Sequence, residues 1–160
     1  MTSIEIIVLG TPAPQGSKHG YAIKAKGAYT GKVAQVESSA KVKPWRMAVK
    51  YAAMDARATH DQRVPMTSAV TIEVIFRLPR PKGHFGTGRN AGLLKPSAPW
   101  FPVGRPDLDK LLRSTFDALG EAGVWGDDSQ VVDVDVAKVY ADLDFLPGAW
   151  IRVSTTEDAA

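Results

Sequence analysis

The sequence contains no cysteine. Disulfides, thiolate metal sites and cysteine nucleophiles are excluded, and the chain suits a reducing compartment. No run approaches the ~20 apolar residues of a membrane span. The opening stretch, MTSIEIIVLG, has no basic leader and breaks its apolar run at Glu5. It reads as a first strand, not as a secretory signal, and the expected location is cytoplasmic. Acidic residues are missing from long stretches. Residues 77–106 hold six Lys or Arg and no Asp or Glu. Residues 12–50 hold eight Lys or Arg against one acid, Glu37. The acids are concentrated in residues 114–160, where ten Asp or Glu stand against Lys138 and Arg152. A net charge of +3 hides this separation. Basic arms beside an acidic third suit a polyanionic partner such as nucleic acid, although many soluble proteins segregate charge as well.

What is present is one domain's worth of chain, 160 residues with 44% apolar and 23% charged content. Such a chain buries about two-thirds of its unfolded surface. Residues 3–9 alternate and are β-branched, so a strand is expected. The Pro- and Gly-rich TPAPQGSKHG reads as a loop. The segment that follows reads either as a hairpin around Gly27 or as a basic loop. A helix begins near Pro44, which suits a first helical position. Trp45, Val49, Ala52, Ala53 and Ala56 form its apolar stripe, leaving Arg46, Lys50 and Arg57 as a basic face. Val70, Ile72, Val74 and Phe76 mark a second strand.

Residues 80–106 hold five Pro and five Gly and show no periodicity. A connection this long is functional or disordered. Its cations Arg80, Lys82, Arg89, Lys95 and Arg105 are interleaved with His84, Phe85, Trp100 and Phe101. Cations with aromatics suit a phosphate backbone and unstacked bases. An equally good reading is a solvated loop with its aromatics tucked onto the core. A second helix over about 109–122 carries Leu111, Leu112, Thr115, Phe116 and Leu119 on one face, and Gly123 ends it in a left-handed cap. SQVVDVDVAKVYA and AWIRVST read as the last two strands, and residues 154–160 as a frayed tail. The expected fold is a single α+β domain: a small mixed β-sheet with helices packed on one face.

Four carboxylates frame the second helix. Each has an ordinary explanation. Asp109 caps a helix starting at Lys110, Asp107 faces its dipole, and Asp127 and Asp128 suit a turn. As a set they suggest more. Pro106 keeps the approach extended, so Asp107 and Asp109 point to one side about 6–7 Å apart. Arg113 lies one helical turn after Asp109. The helix spans roughly 20 Å, and a returning strand beside Asp107 brings Asp128 back to the pair. Three clustered carboxylates repel unless a cation neutralises them. All-oxygen ligands select Mg²⁺ or Mn²⁺. With basic arms nearby, the chemistry indicated is phosphodiester hydrolysis, with Arg113 stabilising the phosphoryl oxygens.

At these residues the sequence resembles the RusA family of Holliday junction resolvases. The motif is Asp107-Leu108-Asp109, then the helix with Phe116-Asp117-Ala118-Leu119, then Gly123-Val124-Trp125-Gly126-Asp127-Asp128-Ser129-Gln130-Val131-Val132. Gly10-Thr11-Pro12-Ala13-Pro14 is similar to the family's loop after its first strand. The resemblance implies an intertwined homodimer. It also implies a Mg²⁺-dependent endonuclease that resolves four-way DNA junctions by paired symmetric nicks in recombination and repair. Asp107, Asp109 and Asp128 are its implied metal-binding and catalytic carboxylates. Arg113 stands where the family has a functional lysine. Arginine keeps the charge but gives up a proton far less readily, so charge stabilisation carries over and proton donation stays open. The DNA-binding set is Lys18, Arg80, Lys82, Arg89, Lys95, Arg105 and Lys110. No small-molecule cofactor and no membrane partner are expected. The alternative from another class is a non-catalytic binder of branched nucleic acid. A third reading is a phosphoryl enzyme acting on a small nucleotide. The role of Asp127, ligand or turn residue, stays open.

Overall fold

The computed structural model describes residues 2–16, 19–36, 40–62, 64–142 and 144–156. Its main sheet has four strands: β1 (Ser3–Leu9), β4 (Val70–Leu78), β5 (Val131–Tyr140) and β6 (Gly148–Thr155). The spatial order is β1-β6-β4-β5. β6 runs antiparallel to both β1 and β4, whereas β4 and β5 are parallel. The sheet is therefore mixed, as the element order suggested. Two helices, α1 (Val42–Thr59) and α2 (Leu108–Glu121), cover one face.

Alternation decides which residues meet the helices. Ile4, Ile6 and Val8 of β1, Ala149, Ile151 and Val153 of β6, and Val70, Ile72, Val74 and Phe76 of β4 are all buried. Trp45, Val49 and Ala53 of α1 and Leu111, Ala118 and Leu119 of α2 complete the core. Trp45 also donates from Nε1 to Thr115 Oγ1 at 3.3 Å, tying the helices together. The other sheet face is mixed: Ile7, Trp150 and Ile75 form an apolar row across it, and beside them Arg152 pairs with Glu5 at 2.9 Å and Glu73 at 3.4 Å. A Cβ on Gly148 would stand 1.9 Å from the Val8 carbonyl oxygen, so only glycine lets β6 start this close to β1.

The segment after the first loop forms a hairpin, β2 (His19–Ala25) with β3 (Ala28–Val36). Its turn residues Lys26 and Gly27 have φ of +49° and +83°, the left-handed pair that a tight two-residue turn demands. Helix α1 begins two residues before Pro44, which falls in the first turn where its missing N–H costs nothing. Its expected basic face is neutralised. Arg46 pairs with Asp117 at 3.4 Å and with Glu121, Lys50 meets Glu121 at 3.8 Å, and Arg57 donates to the Ala122 carbonyl at 2.6 Å. The acids that do this lie on α2, far away in sequence. Residues 154–156, expected to fray, are paired: Thr155 N–H reaches Thr2 O at 2.8 Å and Thr156 N–H reaches Ala69 O at 2.9 Å. Among the described residues no helix is long and apolar enough to cross a membrane.

β4, the connection after it, α2 and β5 make one parallel crossover. The connection over 79–107 is ordered, not structureless. Two 3₁₀ turns, Lys82–His84 and Gly88–Asn90, and backbone bonds such as Gly86 N–H to Leu93 O at 2.9 Å hold it. It is also stitched to the sheet. The Arg80 guanidinium stacks over the Tyr140 ring at 4.2 Å and donates to Pro99 O at 2.9 Å. His84 meets the same ring edge-on, 5.4 Å between centroids.

Candidate active site at the two ends of one helix

The parallel strands β4 and β5 end at Leu78 and Tyr140, and both residues line a cleft of about 760 Å³. Pro12, Pro102, Arg105, Asp107 and Lys110 line it as well. The carboxyl ends of parallel strands are where ligands bind in open α/β sheets. The N-terminus of α2 opens here, and its dipole and free N–H groups favour anions.

Asp107 is the N-cap residue of α2, with extended backbone at φ −70° and ψ 139°. Its side chain caps nothing. It pairs instead with Lys110 at 2.9 Å. The Lys110 hydrogen bond and charge, helped by Arg105 and Lys138, hold the Asp107 carboxyl below the ordinary carboxylate range. Lys110 is raised in turn by Asp107. Asp109 is exposed in the first turn of the helix, which starts earlier than expected. The expected extended i, i+2 arrangement is therefore replaced by an N-cap residue and a helical one. Such positions do not face each other on a helix. Arg113, one turn after Asp109, is exposed and makes no hydrogen bond or ion pair among the described residues.

Lys138 of β5 supports this end. Its ammonium donates to Gly104 O at 2.8 Å and Pro106 O at 2.9 Å, fixing the backbone that leads into Asp107. The sequence offered one signal for it: Lys138 is one of only two bases in the acidic third. The opposite wall is the N-terminal loop, held to α2 by Gln15 N–H to Lys110 O at 3.0 Å and Ser114 Oγ to Ala13 O at 2.7 Å.

Asp128 lies at the other end of α2. Its Oδ1 accepts from Trp125 Nε1 at 2.8 Å. It also rests against Gly120, 3.6 Å from where a Cβ would stand. Trp125 is fully buried and packs edge-on against Phe116, 5.5 Å between centroids. A second hollow of about 380 Å³ opens here, lined by Arg46, Asp117, Glu121 and Asp128. About 20 Å of helix separates Asp107 from this end. The expected return of Asp128 to the pair does not occur within one chain. Among the described residues no three His, Asp or Glu come close enough to hold a metal ion. The reason is topological: β5 starts at the C-terminal end of α2 and runs back, so Asp128 is left behind before the strand approaches Pro106.

Asp127 does turn chemistry. It caps a short 3₁₀ turn, accepting from Ser129 N–H at 2.8 Å; the Ser129 hydroxyl first, and this backbone bond second, lower its pKa. Gln130 completes the capping box and donates to Met66 O and Ser68 O, at 2.9 and 3.1 Å. Of the proposed DNA contacts, Lys82, Arg89 and Arg105 are exposed. Arg80 and Lys95 brace the connection, Lys95 by donating to Gly83 O at 2.8 Å. Lys18 lies outside the described residues.

A profile of the family described as Endodeoxyribonuclease RusA matches residues 13–153. The chain belongs to the RusA family. Membership makes it a nuclease that hydrolyses DNA phosphodiester bonds. It is 30% identical to the Bacillus subtilis (strain 168) protein "Uncharacterized protein YqaN" over 147 residues, covering 89% of this chain and 91% of that protein. It is 57% identical over 35 residues to "Crossover junction endodeoxyribonuclease rusA" of Enterobacteria phage 82. The same identity over 35 residues holds for "Crossover junction endodeoxyribonuclease RusA" of Escherichia coli (strain K12). Those two matches cover 22% of this chain and 29% of each relative. Within the RusA family fold, the side chains that reasoning from sequence overlooked are Lys138 and Trp125. Trp125 was visible in the motif, but its partnership with Asp128 was not.

Proposed function

We propose that this RusA-family nuclease resolves four-way Holliday junctions as a homodimer, by paired symmetric nicks, in recombination and repair. It uses a divalent cation, Mg²⁺ or Mn²⁺. The observation that carries this reading is the separation of the carboxylates. Asp107 and Asp109 sit at one end of α2, and Asp128 at the other. The same two ends lie along β5: Asp128 immediately precedes the strand, and Lys138 near its far end reaches Pro106.

β5 is an edge strand with nothing paired on its outer side among the described residues. Val132 and Val134 on it are 63% and 38% exposed. Val134 pairs with Ile72, so it lies on the helix-bearing face, and Val132 is the extra residue at the register shift between Val131 and Asp133. A long apolar edge strand is a template for pairing. If two copies join β5 to β5 about a two-fold axis, the ends exchange. Asp128 of one copy then approaches Asp107 and Asp109 of the other. A two-fold dimer with two such sites matches the near two-fold symmetry of a four-way junction.

The donor set fits a hard cation, because carboxylate oxygens suit Mg²⁺ and Mn²⁺; a single chain supplies it in two halves. When bound, such an ion lowers the pKa of a bound water and offsets phosphate charge. Arg113, exposed one turn from Asp109, meets the phosphoryl oxygens and stabilises their developing charge. Lys110 holds Asp107 ionised. Arg105, Lys82 and Arg89 take the phosphate backbone, and the acid-free hairpin β2–β3 adds exposed Lys24, Lys26 and Lys32 to the same role.

The test is cleavage of a synthetic four-way junction, with and without Mg²⁺, with the cut sites mapped. Symmetric nicks are expected from the wild type. Asp107→Asn and Asp128→Asn should each abolish nicking and leave junction binding intact. Normal cutting by both variants would show that the site is wrong.

A further inference from the structure

The connection between β4 and α2 carries an apolar crest. Trp100, Phe101 and Val103 are 86%, 66% and 89% exposed. Single exposed hydrophobics are ordinary, but three within four positions, one of them a tryptophan, form a patch that asks for a partner. The crest is held from both sides. Arg80 donates to Pro99 O just before it, while its guanidinium stacks on Tyr140 of the sheet. Pro102, inside the crest, is buried and lines the Asp107 cleft. A further bond, Val103 N–H to Phe101 O at 3.0 Å, closes the turn. The aromatics are thus presented outward on a braced backbone at the rim of the candidate active site. A braced surface loses little entropy on binding.

The surroundings decide what the crest can meet. Residues 77–106 contain six cations and no acid. Arg89 and Lys82 on this connection are exposed, with no ion pair among the described residues. An apolar protein surface would leave these cations without partners. A nucleic acid gains from both, because phosphates take the charges and base faces take the aromatics. In an intact duplex the base faces are stacked on one another and closed to an indole. They become available at a branch point, where stacking is interrupted.

We propose that Trp100 and Phe101 form a base-stacking wedge that engages unstacked nucleotides at the branch point of the DNA, with Val103 flanking them. The proposal rests on the reading of this chain as a junction nuclease and assigns to that site its recognition of branched over linear DNA. Each stacked base lost costs roughly tenfold in affinity.

The experiment uses a four-way junction with 2-aminopurine at the branch point, in metal-free buffer so that no cutting occurs. A second junction carries the probe within an arm. Wild-type protein should change the fluorescence at the branch point and not in the arm. Trp100→Ala/Phe101→Ala should lose that change and bind the junction roughly tenfold or more weakly. Its affinity for linear duplex should be unaltered. Sedimentation of both proteins accompanies the titration. Equal fluorescence responses and affinities would overturn the wedge, as would a variant that instead changes oligomeric state, since the crest would then be a contact between copies. Wild-type cutting in Mg²⁺ is scored separately. A wild type that cuts junctions without any branch-point signal refutes the wedge alone, whereas a wild type that binds junctions and never cuts refutes the nuclease reading.

Discussion

The two ends of α2 hold carboxylates in opposite ways. At the N-terminal end Asp107 is exposed, surrounded by Lys110, Arg105 and Lys138, and tied by one exchangeable ion pair. At the C-terminal end Asp128 is gripped by the buried Trp125 indole and stands among Asp117 and Glu121, whose charge Arg46 partly offsets. One end is an exposed acid in a basic setting. The other is a positioned acid in an acidic setting. Among the described residues neither end alone gathers three metal-ligating side chains, and in the proposed dimer the two ends are complementary halves of one site.

The largest effect expected from breaking this pattern is loss of a carboxylate. Asp109→Asn and Asp128→Asn should lower cleavage to the same extent, beyond the roughly 100-fold range typical of groups that only orient metal ligands. Single-turnover assays at saturating protein measure it. Unequal effects would mean that the halves are not parts of one site. Next comes the grip on Asp128. Trp125→Phe keeps the ring packed on Phe116 but removes the Nε1 donor. Metal affinity, read by titration of Mn²⁺ against cleavage, should weaken roughly 10- to 100-fold. A change in melting temperature alone, with metal dependence unaltered, would contradict that role.

At the N-terminal end, Lys138→Met removes two hydrogen bonds to the backbone before Asp107. Cleavage should fall roughly tenfold, while duplex binding at a given salt stays unchanged. The smallest effect concerns Lys110. It holds the Asp107 pKa down, so Asp107 stays ionised at lower pH than an ordinary carboxylate. Lys110→Ala lets that pKa rise toward its usual value. Protons then compete for Asp107 at higher pH, and the acid limb of the pH–rate profile should move upward. An acid limb unmoved, or moved downward, would show that the pair does not govern the titration.

Much of the fold was legible because alternation is a local signal. β1, β4, β5 and β6 follow from side-chain periodicity, and Gly123 ends α2 with φ +71°, as a left-handed cap requires. What escaped depends on distant residues. The basic face of α1 is erased by Asp117 and Glu121, more than sixty positions away. The connection over 79–107 lacks periodicity, yet Tyr140 orders it by stacking with Arg80 and His84. The candidate site was legible as a residue list and not as a geometry. Asp107, Asp109 and Asp128 carry the motif. Their spacing, however, is set by the length of α2 and by the direction in which β5 runs, and both leave Asp128 at the opposite end of α2 from Asp107.

The central claim is that each site is built from two copies. It is tested most directly by mixing Asp107→Asn protein with Asp128→Asn protein, each inactive alone, and allowing subunits to exchange. In a mixed dimer the Asp128 of the first copy joins the Asp107 of the second, which makes one intact site and one doubly altered site. The account predicts that nicking of four-way junctions returns, as single nicks and not paired ones. If each site lay within one chain, every site in the mixture would still lack a carboxylate, and a mixture that stays inactive despite demonstrated exchange would contradict the account.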